Sequence, residues 1–260
     1  MDTLRIKAVT GLPFLLSASV LWVGGLTARN TLAADAAAEA QARVLIVTGE
    51  DPHNWRETAP ALKALLAKDR RLQVEVTEDL KFLADPKLHD YDALVLHFSN
   101  WEHPNQPGKA AQENLQKAVA NGTGVVVVHF ASAAFRENPE FRKLVGRAWD
   151  AERFGHDPGG KFRVEITDVE HPITDGMESF ETEDELYYGL IGKPPITVLA
   201  KARSKIDGKE YPMAFVYNYG KARGFHCPLG HNVKAFETPA AGELFRRGTA
   251  WAAGLSPVPK

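Results

Sequence analysis

The sequence predicts an α/β protein built on a mostly parallel sheet covered on both faces, and three observations carry that expectation. Short, wholly apolar runs at 44–47, 93–96 and 125–128 read as strands buried on both sides. Segments with apolar residues at helical spacing lie between them. Turn-forming residues mark the boundaries, as in Asn121-Gly122-Thr123-Gly124 ahead of the third run. Parallel strands need crossover connections, so the alternation and the apolarity point to the same class.

In order along the chain, the run 44–47 precedes a helix over 55–67, where Ala61, Leu62, Leu65 and Leu66 share a face. Residues 72–76 alternate as a strand. The run 93–96 leads to a helix over 106–120, and 125–128 leads to a short helix that starts at Asn138-Pro139 and ends at 145. Beyond it the helical period fades. Residues 162–167, 196–200, 213–219 and 223–226 read as strands, and Tyr219-Gly220-Lys221-Ala222 as the hairpin turn between the last two. An amphipathic helix over 239–252 follows, then a Pro-containing tail at 255–260. No repeat or linker divides the chain, so one domain over 42–256 is expected.

The N-terminus departs from this pattern. Arg5 and Lys7 precede an uncharged, largely apolar run over 8–28, and small residues cluster in Thr31-Leu32-Ala33-Ala34. These are the parts of a secretory signal peptide, expected over 1–34, with a periplasmic or secreted product. Pro13, Gly24 and Gly25 inside the run count against an uncleaved span, so no stable membrane insertion is expected after removal. A chain that is 44% hydrophobic and 25% charged is not disordered by composition. Its net charge of −2, with no Lys/Arg run, excludes nucleic acid as a partner. The single cysteine, Cys227, can form no internal disulfide.

Ligands of open α/β sheets bind beyond the carboxyl ends of the strands. Five of the nine histidines fall at or just past such ends: His53, His97, His129, His226 and His231. His129 stands out, because four valines deliver it to the sheet edge and Ala131, Ser132, Ala133 and Ala134 leave room beside it. His97 reads equally as a buried partner for backbone groups. Phe154-Gly155-His156-Asp157 adds a sixth histidine, and the acidic run Glu181-Thr182-Glu183-Asp184-Glu185 enters Leu186-Tyr187-Tyr188, which predicts that one or two carboxylates turn inward. Imidazole with carboxylate is a ligand set for a divalent ion such as zinc or manganese, and equally an acid/base pair. His53, His129, His156, Glu185 and His231 are the candidate ligands, and His129, Glu185 and His231 the candidate catalytic groups. Neither HExxH nor CxxC spacing occurs.

Several of these residues belong to longer motifs: Gly124-Val125-Val126-Val127-Val128-His129, Leu144-Val145-Gly146, Phe154-Gly155-His156, His171-Pro172-Ile173-Thr174-Asp175-Gly176, Asp184-Glu185-Leu186-Tyr187, Tyr219-Gly220-Lys221-Ala222-Arg223 and Leu229-Gly230-His231. In this order they resemble the successive signatures of ThuA-like (trehalose utilisation) proteins, over essentially the whole chain after the leader. The resemblance implies a three-layer flavodoxin-like fold, similar to class I glutamine amidotransferases, with an added β-hairpin region. It also implies a link to trehalose and related sugars. In the amidotransferases a cysteine occupies the sharp turn after the central strand, and here that position is His129. Cys227 lies elsewhere, so the thiol route is absent. The chain departs from its relatives at Gly146-Arg147-Ala148-Trp149, where a Gly-Gly is common, so the pocket floor is expected to differ. His171-Pro172 reads as a structural turn.

These readings lead to an exported sugar-processing enzyme that cleaves or rearranges keto-glycosides by acid/base or metal-assisted chemistry. The alternatives are a non-catalytic carbohydrate-binding or sensing module and, third, a peptidase or amidase with a non-cysteine centre. A binding module needs chiefly aromatic faces, for which Trp55, Trp101 and Tyr188 are the candidates. A small carbohydrate is the expected partner, and a homo-oligomer is left open.

Overall fold

The computed structural model describes residues 40–258 apart from Ala151 and Phe154, so the leader expected over 1–34 lies outside the described residues. The strands are β1 (Ala42–Val47), β2 (Leu72–Thr77), β3 (Ala93–Leu96), β4 (Gly124–Val128), β5 (Gly155–His156), β6 (Gly160–Ile166), β7 (Phe180–Asp184), β8 (Tyr187–Tyr188), β9 (Thr197–Arg203), β10 (Glu210–Tyr219) and β11 (Ala222–Cys227). The helices are α1 (Trp55–Leu66), α2 (Lys109–Asn121), α3 (Pro139–Leu144), α4 (Val233–Glu237) and α5 (Pro239–Ala252).

Nine strands form one sheet in the order β2-β1-β3-β4-β11-β10-β9-β6-β7, and β5 pairs with β8 beside it. The first five of that order are parallel, and the rest alternate in direction. The parallel block has the flavodoxin-like order, with a switch point between β1 and β3. Every residue of β3 and β4 is buried, as their unbroken apolar runs require. Ile46, Val95, Val126 and Phe225 enter the core layer shared with α1 and α5, while Leu45, Leu94, Val125 and Val127 enter the layer under α2 and α3. This is the three-layer α/β architecture, each large apolar side chain contributing about 1.5–3 kcal/mol on burial. Gly124 opens β4 where a Cβ would lie 2.1 Å from the carbonyl oxygen of Ala252, so only glycine lets the end of α5 close over that strand.

Three elements differ from the sequence reading. Helix α2 starts at Lys109 and not at 106, because Pro107 and Gly108, whose φ is 119°, hold the chain outside the helical region. The antiparallel addition is larger than a hairpin, since β9, β6 and β7 extend it to the sheet edge. The acidic run is itself a strand, β7, whose period of two buries Thr182 and Asp184, exposes Glu181 and leaves Glu183 to pair with Lys234.

His226 is a core group. It is fully buried on β11, its Nδ1 lies 2.8 Å from the carbonyl of Val145, and its ring packs on Phe215. Burial pulls its pKa down from 6.5 to about 4. An unfolded chain takes up that proton first, so acidification favours unfolding. Stability is therefore expected to be unaffected by this group above about pH 6.5 and to fall as pH drops toward 4, by up to about 3 kcal/mol. His97, held at about 4 by the same cause, steepens the slope. Urea unfolding between pH 7 and 4 checks this. His226→Gln should show a shallower loss than the wild type, and equal slopes would refute the assignment.

Candidate functional site

Around the switch point, the carboxyl ends of β1, β3, β4 and β11 open on one edge of the sheet. His53 lies in the loop from β1 to α1, His129 directly follows β4, His231 follows β11, and Glu185 follows β7. The register places Cys227 beside Val128, so the chain leaving β11 runs next to His129. One ligand-capable atom from each of His53, His129, Glu185 and His231 lies within 4.8 Å of the others.

His129 is the anchor. Its φ of 48° is a left-handed conformation rare for a residue with a Cβ, and the chain turns sharply there into a 3-10 turn over His129–Ala133. Nδ1 is 2.8 Å from the carbonyl of Pro228 and must carry the proton, which leaves the Nε2 lone pair facing the site. The hydroxyl of Tyr187 donates to Nε2 over 2.8 Å. Burial, reinforced by neighbouring His53, holds the His129 pKa well below the usual value, so the ring is neutral. His53 places Nδ1 2.5 Å from Asp51, which orients the ring and leaves Nε2 as its ligand atom.

Glu185 lies between the rings. One carboxylate oxygen is 3.1 Å from Nδ1 of His231 and 3.9 Å from Nε2 of His129, and the other is 3.5 Å from Nδ1 of His156. Burial alone would raise its pKa, but the contact with His231 and the surrounding imidazoles prevail, and it stays below the ordinary carboxylate range. The same contact raises the pKa of His231. Beneath them Asp184 accepts backbone N–H bonds from Gly230 at 2.6 Å, Glu185 at 2.8 Å and His231 at 3.2 Å, clasping the two loops together. Burial pushes its pKa up to about 6 in spite of those bonds.

Three neutral-capable imidazoles with one carboxylate suit zinc or manganese. Their ligand-capable atoms, all within 4.8 Å of one another, are close enough that small side-chain rotations would let them share one ion. His156 stands outside the four, its Nδ1 also lying 3.0 Å from the Asp157 carbonyl. His97 lies behind, 3.1 Å from the Thr48 hydroxyl. Cys227 is fully buried, and burial pushes its thiol pKa up, as expected of a core residue.

Of the aromatic candidates, Trp101 packs on Phe130 and Trp149 in a wall beside the cluster, with Arg136 over its face. Trp55 is almost buried at the start of α1, its ring covered by Arg56, and offers little face to a ligand. Tyr188 packs on Tyr211. Neighbouring strand residues point to opposite faces, so Tyr187, and not the aromatic candidate Tyr188, lies against His129. Five residues of the site were not among the sequence candidates: Asp51, Phe130, Asp184, Tyr187 and Trp149. Trp149 stands where the chain departs from the Gly-Gly of its relatives, and Asp184 and Tyr187 lie in the inward-turning acidic segment and its motif, whereas Asp51 and Phe130 had no signal.

Known proteins agree with this architecture. A ThuA-like protein from Parabacteroides merdae superposes with a TM-score of 0.71 at 24% identity, covering 85% of this chain and 93% of that one. One from Bacteroides uniformis gives 0.65 at 18% identity, covering 86% and 98%. The β-galactosidase of Bacillus circulans contains a similar fold, with a TM-score of 0.54 at 13% identity, over 85% of this chain and 32% of that one. No curated protein matches the chain in sequence. The family described as trehalose utilisation matches residues 43–252, and the chain belongs to this ThuA family.

Proposed function

We propose that the protein is an exported enzyme that cleaves or rearranges a glycoside already oxidised to a keto-sugar, with His53, His129, His231 and Glu185 at its centre. The observation that carries this reading is the placing of one carboxylate, Glu185, among three imidazoles at the switch point of the sheet. Family membership supports a sugar-related role, and the composition of residues 1–34 supports export.

A ring carbonyl acidifies the adjacent C–H. Glu185 takes that proton, the electron pair moves toward the carbonyl, and the glycosidic oxygen on the next carbon leaves with its bonding pair and collects a proton. A zinc or manganese ion held by the imidazoles would supply positive charge to the developing enolate. Where no ion is held, His231, whose protonated form Glu185 favours, would offer similar charge. Trp101, Phe130 and Trp149 form a wall suited to the apolar face of a sugar ring. An ordinary glycosidase would need two carboxylates across the bond, whereas among the described residues Glu185 is the one carboxylate of the cluster, Asp51 and Asp184 being tied to His53 and to backbone N–H groups.

The purified protein is expected to turn over a 3-keto-disaccharide and not its parent sugar. Chelator should abolish turnover and zinc or manganese restore it, and Glu185→Gln should lower it about 100-fold or more. Equal turnover of the unoxidised sugar would sink the mechanism. Sugar binding without turnover would establish the second reading, a carbohydrate-binding module, which the aromatic wall favours.

A further inference from the structure

The Tyr187 hydroxyl and a metal ion compete for one lone pair. With Nδ1 of His129 donating to the Pro228 carbonyl, Nε2 is the only nitrogen through which that ring can bind an ion. The same atom accepts the Tyr187 O–H over 2.8 Å. Both contacts cannot hold at once.

The tyrosine ring is closely packed, so its hydroxyl can shift only slightly. It is 2% exposed, 4.3 Å from the His129 ring and 5.4 Å from Trp149 between centroids. A displaced hydroxyl therefore stays at the cluster and meets whatever oxygen sits beside the ion, on the side where Trp149 adjoins the aromatic wall. We infer that Tyr187 is the proton donor of the site, its hydroxyl yielding Nε2 of His129 to an ion and turning to the leaving oxygen of the sugar. This rests on the proposed reading of the site. As the C–O bond breaks, its electron pair stays on oxygen, and the O–H proton of Tyr187 passes to that oxygen. Glu185 holds the proton taken from carbon, and proton exchange with solvent then restores phenol and carboxylate.

Tyr187→Phe keeps the ring and removes only the hydroxyl, so it tests both halves. Zinc affinity, measured on the full chain by competition with a chromogenic chelator, should rise about two- to tenfold, the range that one hydrogen bond contributes. Turnover of a 3-keto-disaccharide by the zinc-loaded variant should fall about 100-fold or more in kcat, with KM little changed. Unchanged or weaker zinc binding overturns the competition, and wild-type kcat overturns the proton-donor role. His129→Asn separates the two levels of argument. If it binds zinc like the wild type, the metal reading fails; if it loses zinc while Tyr187→Phe does not gain affinity, the inference about Tyr187 fails alone. A wild type that turns over no keto-sugar removes the reaction and the donor role with it, while the zinc measurements still decide the competition.

Discussion

Replacing His129 is expected to weaken zinc or manganese binding by about a hundredfold or more, because a site with four protein ligands spreads about 10–16 kcal/mol over its ligands and this one loses a neutral, fixed imidazole. No other cluster member is so rigidly placed. Its Nδ1 is tied to Pro228, its ring is buried, and its backbone is held at a φ of 48°. Alanine at that φ adds strain unrelated to the metal, so His129→Asn is the cleaner variant, asparagine being tolerant of left-handed backbone. Elemental analysis after dialysis against zinc, with thermal unfolding to show that the variant is folded, gives the answer. Stoichiometric metal in folded His129→Asn would remove the centre from the account. Affinity in the wild type should also fall below about pH 6, since protons compete with the ion for the imidazoles.

Asp184→Ala is expected to lower stability by about 3 kcal/mol or more and to weaken metal binding in parallel. The substitution leaves the N–H groups of Gly230, Glu185 and His231 without their acceptor, and each buried donor left unpaired costs about 1–3 kcal/mol. The loss is smaller than the sum of three such costs, because the carboxyl is itself destabilised by the burial that pushes its pKa up to about 6. Asp184→Asn retains one acceptor oxygen and should lie between the wild type and alanine. Denaturant midpoints and zinc titrations on the three proteins check the order. A stable Asp184→Ala with wild-type zinc affinity would show that the clasp does not hold the site.

Much of this architecture was legible because burial leaves a local trace. Residues 93–96 and 125–128 are apolar at every position, which only a strand covered on both faces requires, and both are fully buried in β3 and β4. The short strands β5 and β8 and the short helix α4 were not legible. Two paired residues carry no periodicity, and β5 and β8 exist through their pairing with each other. The acidic run was ambiguous for a related reason. Its charges hide a period of two that becomes visible only when β6 pairs alongside.

By itself the sequence determined that a histidine, not a cysteine, follows the central strand, that further histidines gather at strand ends, and that a carboxylate-rich segment turns inward beside two tyrosines. Only the tertiary structure decided which of them meet. His129 and Pro228 are 99 residues apart, and His231 and Asp184 are 47 apart. Their contacts arise because β11 is inserted beside β4 in register, bringing its exit loop against His129 and the end of β7. Likewise, the pairing of β8 with β5 selects Tyr187 over Tyr188, since one step along a strand reverses the side chain. Local pattern encodes which face of a segment is buried. The order and register of a sheet are set by packing energy summed over the whole core, and no short stretch of residues contains that sum.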